Sequence, residues 1–296
     1  MVKSPSIYFL TVNYHSTELI RRLISSIYAC EDSDRSNHQL IIVNNAIDDL
    51  AISSLEDARV TVIHALDNLG FGRACNLGLN WIYERDASAT VWIINPDAYL
   101  VDGAIAQLNK LLQAHPEIAI LGTSVYDTSG QLCFGGGKFI PGNGAIWEET
   151  DSTSTIQQDT ECVLTDWVTA CSMVLNLKHF SQCPYFDPDY FLYYEDFDFC
   201  RRYASQGHQI YFSDRIRVVH QTSAIASRNR HFKITNEIYS YLLSLEKHAS
   251  IPILSFRLTR IAIASILQMF YNRQKATSKL TGVVMYCQRI LRNPSH

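Results

Sequence analysis

A short apolar run that ends at Asn95-Pro96-Asp97 constrains the fold of this chain more than any other stretch. Thr90–Ile94 are apolar or β-branched and carry no charge, which predicts a buried strand. Proline cannot continue a central ladder, so the chain must leave the sheet at the carboxyl end of that strand. Ligand crevices of open α/β sheets lie outside those carboxyl ends. The segment is therefore either an ordinary turn or the place where Asp97 offers a carboxylate to a divalent cation.

Predicted strands alternate with predicted helices along the first part of the chain. Strands are predicted at 7–12, 39–43, 60–64, 90–94, 118–122, 209–212 and 216–219, and one more follows a loop within 166–175. Apolar residues with helical spacing follow several of these strands, and such alternation is typical of a largely parallel sheet. The expected fold class is α/β, with a mostly parallel central sheet flanked by helices. Polar side chains end the early strands, as a nucleotide crevice requires.

Gly70-Phe71-Gly72 looks like the start of a dinucleotide-binding loop, but the motif is incomplete. Cys75 occupies the third glycine position, and no acidic residue ends a following strand at the expected distance. A dehydrogenase is therefore rejected. We expect these two glycines to let the backbone pass close to a ligand, or to adopt positive φ before a helix.

A second dense stretch, at 186–202, surrounds three carboxylates with aromatic residues. Glu195, Asp196 and Asp198 lie within four residues, where like charges repel one another, more so if rings exclude water. An acidic first turn of a helix explains such a cluster structurally, because the helix dipole favours it. The aromatic run before the helix favours a functional role instead. His220, at the end of a predicted strand, is either an ordinary residue or part of a metal site.

Charge is distributed unevenly along the chain. The 69 residues from 228 to 296 carry 11 of the 25 Lys and Arg but only 2 of the 29 Asp and Glu. This step is the best candidate domain boundary, with a catalytic domain at 1–227 and a basic helical segment at 228–296. The basic segment suggests an anionic membrane surface as partner, while no recognition motif supports nucleic acid.

Helical spacing continues into the basic segment, where residues 253–271 are mostly apolar. Arg257 and Arg260 in the interior of this run argue against a membrane-spanning helix. The run is expected either to lie at a membrane interface or to pack with a second helix on the catalytic domain. No signal peptide is recognised, and the eight cysteines form no CxxC pair, so a reducing cytoplasm is the expected location, including the inner face of the membrane.

Six motifs in order resemble the family 2 glycosyltransferases, and among these the rhamnosyltransferase-like branch. They are 11–16 (TVNYHS), 43–46 (VNNA), 67–72 (DNLGFG), 95–97 (NPD), 166–170 (DWVTA) and 191–200 (FLYYEDFDFC). Six ordered motifs are far more specific than any one of them. The resemblance covers roughly residues 6–222. It implies a GT-A fold with a nucleotide-sugar half at about 1–125 and an acceptor half at about 126–227.

The resemblance also implies an inverting sugar transfer and roles for individual residues. The donor is a dTDP-, UDP- or GDP-linked sugar, and the cofactor is Mg²⁺ or Mn²⁺. Asp97 and His220 are the implied metal ligands, Asp196 the general base, and Glu195 the residue that orients the acceptor. Donor-binding positions are Thr11, Asn13, Asn44, Asn45, Asn68, Gly70, Phe71, Arg73, Asn95 and Asp97. Acceptor-binding positions are Trp167, Tyr194 and Glu195.

Two positions depart from the family pattern. Asn44 stands where an aspartate often recognises the base, and Asn95 replaces the first aspartate of the metal-binding element. An asparagine both donates and accepts hydrogen bonds, so donor binding is expected to persist with an altered base preference. With one carboxylate missing from the metal-binding element, His220 has to help Asp97 hold the metal.

The expected function is transfer of a sugar, rhamnose by resemblance, to a glycan or lipid-linked acceptor in surface polysaccharide synthesis. The alternative is a catalytically weak, sugar-nucleotide-binding or membrane-scaffolding component of a polysaccharide assembly. A scaffold has no need of Asp97, Glu195, Asp196 and His220 together, which disfavours this alternative. A nucleotidyltransferase is a third option, in which Glu195 and Asp196 have no obvious part.

Overall fold

The structure, a computed structural model, describes residues 7–30, 38–150, 160–221 and 230–292. The predicted domain boundary at 227/228 lies outside these described residues and stays a prediction. Twelve strands are described: β1 (Ile7–Asn13), β2 (His38–Asn44), β3 (Val60–His64), β4 (Thr90–Ile94), β5 (Ala98–Leu100), β6 (Ile120–Tyr126), β7 (Leu132–Phe134), β8 (Gly137–Ile140), β9 (Ala145–Glu148), β10 (Val163–Leu164), β11 (Ser172–Asn176) and β12 (Ile210–His220). Seven α-helices are described: α1 (Thr17–Ala29), α2 (Phe71–Tyr83), α3 (Ala104–Ala114), α4 (Glu195–Ser205), α5 (Arg230–His248), α6 (Ile251–Gln268) and α7 (Arg273–Arg292).

A ten-stranded sheet forms the centre of the protein, in the order β10-β12-β6-β11-β4-β1-β2-β3. Strands β3, β2, β1 and β4 are parallel neighbours, and β12 is parallel to β6. Strand β11 is antiparallel to both β4 and β6, so β4 and β6 run in the same direction. Strand β5 pairs with β12, and β7 pairs with β6. The predicted mostly parallel α/β sheet is confirmed.

Both faces of this sheet are buried under helices. Successive side chains of a strand point to opposite faces, so a strand such as β1 contributes to two apolar clusters. In β1, Leu10 belongs to one apolar cluster with Leu79 of α2, and Phe9 belongs to another with Leu23 of α1. Helix α4 joins the first cluster and α3 joins the second. The early strands therefore consist of nearly continuous apolar residues, and their polar residues are confined to the strand ends.

Three predicted elements differ from the structure. The two short strands predicted at 209–212 and 216–219 are one strand, β12, whose pairing with β6 shifts register between Ser213 and Arg217. At a β-bulge the extra residues are left unpaired while the strand continues, so the polar residues between Ser213 and Arg217 do not end β12. The strand predicted at 118–122 begins two residues later and extends to Tyr126. Strand β5 was not predicted, since three residues carry too little periodicity to be recognised.

The C-terminal segment forms three helices rather than the two expected, and α5 joins it to the body. Ser240 of α5 donates a hydrogen bond to the Leu192 carbonyl, 2.8 Å away, and the Ser244 hydroxyl lies 3.1 Å from the Tyr190 hydroxyl. Helix α7 packs against α5 through Tyr286, which is fully buried. Helix α5 therefore belongs to the same packed unit as the sheet.

Helix α6 differs from its neighbours because most of it is exposed. By length and composition, Ile251–Gln268 could cross a membrane, with a mean hydropathy of 1.3, and only 6% of this span is buried. Its exposed apolar side chains include Phe256, Ile263, Ile266 and Leu267.

Candidate active site

A carboxylate and an imidazole meet at the edge of the sheet because β5 pairs with the end of β12. In this antiparallel pairing Ala98 lies opposite His220, and Asp97 directly precedes β5. The Asp97 Oδ1 atom is 2.9 Å from His220 Nε2, and the side chains are 9% and 20% exposed. The Gln221 amide donates to the Asp97 carbonyl at 2.9 Å, which ties the two segments together. Two residues that are 123 positions apart in sequence thus form one pair of potential metal ligands.

The second pair of functional side chains begins helix α4. The Asp196 carboxylate accepts hydrogen bonds from the Ala170 amide at 3.0 Å and from its neighbour, the Phe197 amide, at 2.8 Å. Glu195 is 5% exposed, and its Oε2 atom has no hydrogen-bond partner within the described part of the chain. Burial, followed by the charge of Asp196, raises the pKa of Glu195 from 4.5 to about 8. Burial also raises the pKa of Asp196, although the hydrogen bonds it accepts oppose this shift.

The backbone just before α4 is strained. Tyr193 and Tyr194 have φ of 69° and 62°, a left-handed conformation that is uncommon for aromatic residues. Two such residues in succession persist only when surrounding contacts hold them, and such strain is concentrated at functional sites. Here the strain positions Glu195 and Asp196 at the start of the helix.

The third carboxylate of this segment, Asp198, serves a different purpose. It is fully buried and binds Arg202 Nε at 2.7 Å and His248 Nε2 at 2.9 Å. Burial alone would raise the pKa of Asp198, but the His248 hydrogen bond and the Arg202 charge hold it below its usual value. Asp198 therefore attaches α4 to α5, and the acidic cluster divides into one structural carboxylate and two that line a cavity.

A cavity of about 600 Å³ lies between the strand ends, α4, the β8–β9 hairpin and α5. Its lining residues are Phe71, Asn95, Val125, Cys133, Phe134, Ile146, Trp147, Glu148, Trp167, Thr169, Ala170, Cys171, Leu192, Tyr193, Tyr194, Glu195, Asp196, His220 and Glu237. No Lys or Arg is among these lining residues. Both the paired imidazole of His220 and the α4 carboxylates face this space, so a single ligand can reach both.

The amides at the ends of β1 and β2 form a closed hydrogen-bond network. Asn13 donates to Asn44 Oδ1 at 2.9 Å and to Asp49 Oδ2 at 3.0 Å, while its own oxygen accepts from the Ser16 amide and hydroxyl. Asn44 is 1% exposed, and its amide nitrogen lies 3.2 Å from the Asp49 carbonyl and 3.2 Å from His64 Nδ1. Asn13 and Asn44 are thus buried supports for the loop that carries Asp49.

A second network holds the loop before α2. Asn45 Nδ2 donates to Asn68 Oδ1 at 3.0 Å, and its oxygen accepts from the Leu69 amide at 2.8 Å. Gly70 has φ of 79°, and a Cβ atom there would lie 2.1 Å from the Phe191 carbonyl oxygen. The Phe71 amide donates to that same carbonyl at 3.1 Å. The donor-side loop and the aromatic segment before α4 are therefore in direct backbone contact, which only glycine permits.

The remaining predicted site residues are placed as follows. Phe71, Asn95, Trp167 and Tyr194 line the cavity. Thr11 is buried, and its hydroxyl has no partner within the described part of the chain. Arg73 is exposed on α2 and is not among the lining residues.

Several cavity residues were missed by the sequence interpretation, notably Trp147, Glu148, Tyr193 and Glu237. Trp147 and Glu148 lie in a hairpin whose distance from the strand ends cannot be read from the sequence. Glu237 did leave a signal, because it is one of only two acidic residues in the basic segment at 228–296.

Within the described ranges no group of three or more His, Cys, Asp or Glu side chains could hold a metal by itself. Asp97 with His220 offers two potential protein ligands. Mg²⁺ typically uses one or two carboxylates together with substrate phosphates and water, so a two-residue site fits a cation that arrives with a diphosphate.

Two solved glycosyltransferase structures have a similar fold. One is GalNAc-T7 with UDP, GalNAc and Mn²⁺, with a TM-score of 0.59 and 12% identity over 83% of this chain and 48% of that one. This chain therefore spans about half the length of that structure. Another is the mannosyltransferase PcManGT from Pyrobaculum calidifontis in complex with GDP-Man and Mn²⁺, with a TM-score of 0.55 and 12% identity over 100% and 89% of the two chains. At this level of identity, the likeness shows the GT-A fold.

No curated protein matches this chain. Residues 5–235 match the protein family described as glycosyltransferase like family 2. The match includes the strand ends, the Asp97–His220 pair, the start of α4 and the first turns of α5. From this match and the fold that it shares with known glycosyltransferases, we conclude that the chain belongs to glycosyltransferase-like family 2.

Proposed function

We propose that this protein is an inverting glycosyltransferase that moves a sugar from a nucleotide-diphosphate donor to a hydroxyl group of a glycan or lipid-linked acceptor. The sequence resemblance favours rhamnose as the sugar and surface polysaccharide synthesis as the pathway. The observation that carries the proposal is one cavity lined by both the Asp97-paired His220 and the Glu195–Asp196 carboxylates. These are the two chemical functions that a single displacement at a sugar carbon requires.

Asp196 acts as the general base. The acceptor hydroxyl oxygen forms a bond to the anomeric carbon while the bond to the diphosphate oxygen breaks, and the hydroxyl proton passes to Asp196. The nucleotide diphosphate leaves with the electron pair of the broken bond. The hydrogen bonds from Ala170 and Phe197 hold the carboxylate in place, and burial raises its pKa towards the working pH. A base is most effective when its pKa lies near that pH.

Glu195 orients the acceptor. With a pKa raised to about 8, its carboxyl group carries a proton near neutral pH, so the side chain both donates and accepts hydrogen bonds. Its Oε2 atom lacks a partner within the described part of the chain, and an acceptor hydroxyl supplies one. Keeping Glu195 neutral also reduces its repulsion of Asp196, which leaves Asp196 free to ionise.

Asp97 and His220 would hold Mg²⁺ or Mn²⁺. Their side chains already meet at 2.9 Å, and both are partly reachable from solvent. A bound divalent cation would neutralise the charge that develops on the departing diphosphate. The cation would be needed because no Lys or Arg that could do the same is among the described residues that line the cavity. Cations bound by the structural neighbours GalNAc-T7 and PcManGT support the same assignment.

The donor nucleotide binds at the ends of β1 to β3, and candidates are dTDP-, UDP- and GDP-linked sugars. Asn44 is too deeply buried to touch a base directly, so it acts by supporting the loop that carries Asp49. Asp49 accepts hydrogen bonds from Asn13 and Thr17. Because Asn44 replaces the aspartate that often recognises the base in this family, Asp49 is the carboxylate that could contact the base instead.

Helix α6 supports a peripheral location for the enzyme, on the cytoplasmic face of a membrane. Phe256, Ile263 and Phe270 expose 60%, 54% and 88% of their surface to solvent, which is costly unless an apolar phase covers them. Arg257 donates to the Asn143 carbonyl of the body at 2.6 Å, and this contact favours an α6 that stays on the catalytic unit over one that spans a bilayer. A basic interfacial helix binds anionic lipid through both apolar burial and charge.

A panel of nucleotide sugars tests the enzymatic proposal. In the presence of Mn²⁺, the correct donor should raise the melting temperature, since a ligand at about 100 times its Kd adds roughly 2.7 kcal/mol. The stabilised complex should then transfer its sugar to added glycan acceptors. Stabilisation without any turnover over the whole acceptor panel would instead support the scaffold alternative. Donor binding that is independent of metal and unaffected by Asp97→Ala would refute the metal assignment, with Asp102→Ala, an exposed acid, as the control.

Vesicle flotation tests the membrane proposal separately. We expect the protein to float with vesicles that contain phosphatidylserine, and less so in high salt. The double variant Phe256→Ser/Phe270→Ser should lose this binding while keeping the melting temperature. Absence of binding at low and high salt alike would leave ordinary packing of the helices as the explanation.

A further inference from the structure

The cavity extends beyond the proposed base, to residues that the transfer reaction itself does not use. Trp147 and Glu148 come from the end of β9, and Glu237 comes from α5. None of them belongs to the predicted donor, metal or catalytic sets. What they share is that they line the cavity that Asp196 also lines, so they are available to the molecule whose hydroxyl Asp196 activates.

Trp147 is an exposed indole on a hairpin that is hydrogen-bonded to α5 and α6. It lines the cavity while 59% of its surface is exposed, although a Trp side chain is normally among the most buried. The tip of its hairpin is hydrogen-bonded to two helices. Tyr241 of α5 donates to the Gly144 carbonyl at 2.7 Å, and Arg257 of α6 donates to the Asn143 carbonyl at 2.6 Å. A flat apolar surface held in this way offers a stacking face for a ring-shaped ligand.

The titratable side chains that line this part of the cavity are carboxylates, although Lys233 of α5 and Lys279 of α7 are close enough to interact with Glu148 and Glu237. Burial, and then the charges of Asp196 and Glu237, raises the pKa of Glu148, with Lys233 acting in the opposite direction. Glu237 forms no ion pair with any described residue, whereas Glu246, the other acid of its segment, binds Arg289. Among the described residues, no Lys or Arg lines the cavity. Carboxylates accept hydrogen bonds from sugar hydroxyls but repel other anions.

A second observation points to a ligand at the same place. Glu195 lines the same cavity as these carboxylates and the base, is 5% exposed, and has an Oε2 atom without a partner in the described chain. A buried polar atom left unpaired is unfavourable, so a bound group that completes its hydrogen bonding is expected.

From these observations we propose that Trp147, Glu148 and Glu237 form the acceptor subsite, and that this subsite takes an uncharged sugar residue. The ring stacks on Trp147, and its hydroxyl groups donate to Glu148 and Glu237. A terminal acceptor sugar that carries a carboxylate or a phosphate binds less tightly, because the carboxylates that line the subsite repel it. The inference rests on the proposed transferase function and adds the chemical class of the acceptor to it.

Equilibrium binding of glycosides, measured without donor and without metal, tests the subsite independently of turnover. The probes are p-nitrophenyl glycosides of neutral sugars (glucose, galactose, mannose, rhamnose and N-acetylglucosamine) together with p-nitrophenyl glucuronide, which differs from the glucoside only by its carboxylate. Saturation-transfer NMR and titration calorimetry give the relative affinities. At least one neutral glycoside should bind, more tightly than the glucuronide. Wild-type protein that binds the glucuronide as well as it binds every neutral glycoside, or that binds no neutral glycoside, overturns the proposal.

Matched variants separate the roles of the ring and the charges. Trp147→Ala should abolish binding of the neutral glycoside, and Trp147→Phe should restore part of it. Glu237→Gln should raise glucuronide affinity about fivefold, the effect of one unit charge at contact distance in water. Glu246→Gln removes the same charge from the same helix away from the cavity and should leave glucuronide affinity unchanged. Equal effects of the two glutamine variants, or unchanged binding by Trp147→Ala, would contradict the assignment. These outcomes do not depend on whether the protein turns over a nucleotide sugar.

Discussion

The buried amides of Asn13 and Asn44, at the ends of β1 and β2, hydrogen-bond to each other, whereas Glu195 at the start of α4 keeps an oxygen without a partner in the described chain. Asn13 uses both its amide nitrogen and its oxygen in hydrogen bonds to Asn44, Asp49 and Ser16. Glu195, which is buried almost as deeply, leaves an oxygen unpaired beside a second carboxylate. The Asn13–Asn44 region is therefore structural. The start of α4 instead holds two carboxylates that repel each other and follows two tyrosines with a left-handed backbone conformation. Unpaired polar groups and strained backbone are typical of sites where a bound substrate supplies the missing contacts. The difference therefore distinguishes the structural region from the candidate catalytic region.

The largest expected effect concerns the α4 region. Asp196→Asn should lower the turnover number by about 10² to 10⁴, because the amide cannot take up the acceptor proton. Donor affinity should stay the same, since Asp196 does not hold the diphosphate. Steady-state kinetics and donor titration measure the two quantities. Full turnover by this variant would show that the base lies elsewhere. A melting temperature close to that of the wild type is the control for folding, because Asp196 accepts hydrogen bonds from two backbone amides.

The structural region should respond in its stability. Asn13→Ala should lower the free energy of unfolding by about 2–3 kcal/mol, because it removes the hydrogen bonds to Asn44 and Asp49 and leaves the buried Ser16 amide without its acceptor. The exposed Asn80→Ala on α2 should stay within about 0.5 kcal/mol of the wild type. Urea unfolding measures both. If Asn13→Ala proves as harmless as Asn80→Ala, the network is not the support that its geometry indicates.

The contact between the two regions can be tested at Gly70. Gly70→Ala introduces both a strained φ and a Cβ atom that overlaps the Phe191 carbonyl oxygen, 2.1 Å away. Gly103 has a similar φ of 80°, with ψ of 0° against 178° at Gly70, and a Cβ atom added there would have no neighbour within 4 Å. Gly103→Ala is therefore the control for an alanine at positive φ without a contact. We expect Gly70→Ala to be the more destabilising by about 1–3 kcal/mol, and to weaken donor and acceptor binding together. Equal losses for the two alanine variants would mean that the backbone contact carries no energy.

The smallest effect is a stabilisation, and it depends on pH. The pKa of Glu195 is about 8 in the folded protein, against an ordinary value of 4.5 for a glutamate in the unfolded chain, so the folded state binds an extra proton between these values. Its contribution to stability is complete below about pH 4.5 and is lost as the pH rises through about 8. Glu195→Gln should therefore raise the free energy of unfolding by about 1–3 kcal/mol at about pH 8.5 and by little at about pH 5.

Urea unfolding at the two pH values measures this effect of Glu195→Gln. Asp127→Asn provides a control, since Asp127 is an exposed acid whose pKa is lowered by hydrogen bonds from Ser129 and Gln131. That variant should show no gain at high pH. A Glu195→Gln protein that is less stable than the wild type at the higher pH would show that the carboxylate is paired after all.

Much of the fold was predictable because its information is local. Strands β3 and β4 begin and end at the predicted residues, and Gly70 adopts positive φ, one of the two alternatives expected for it and Gly72. The start of α4 at Glu195 was also predicted correctly, since an acidic first turn after an aromatic run indicates it. Each of these features depends on residues within a few positions of one another.

What the sequence determined by itself was the α/β class and the bounds of strands such as β3 and β4, and it supplied candidates for the side chains that do chemistry. Only the tertiary structure decided which of them meet. The pairing of β5 with β12 brings Asp97 to His220. The packing of α5 brings Glu237 to the cavity, and His248 of the same helix binds Asp198, which does not line the cavity. Periodicity and turn chemistry act over a few residues, whereas the contacts of Asp97 with His220 and of Asp198 with His248 close loops of 123 and 50 residues. Their geometry is set by how the buried layers pack, which no short stretch of sequence encodes.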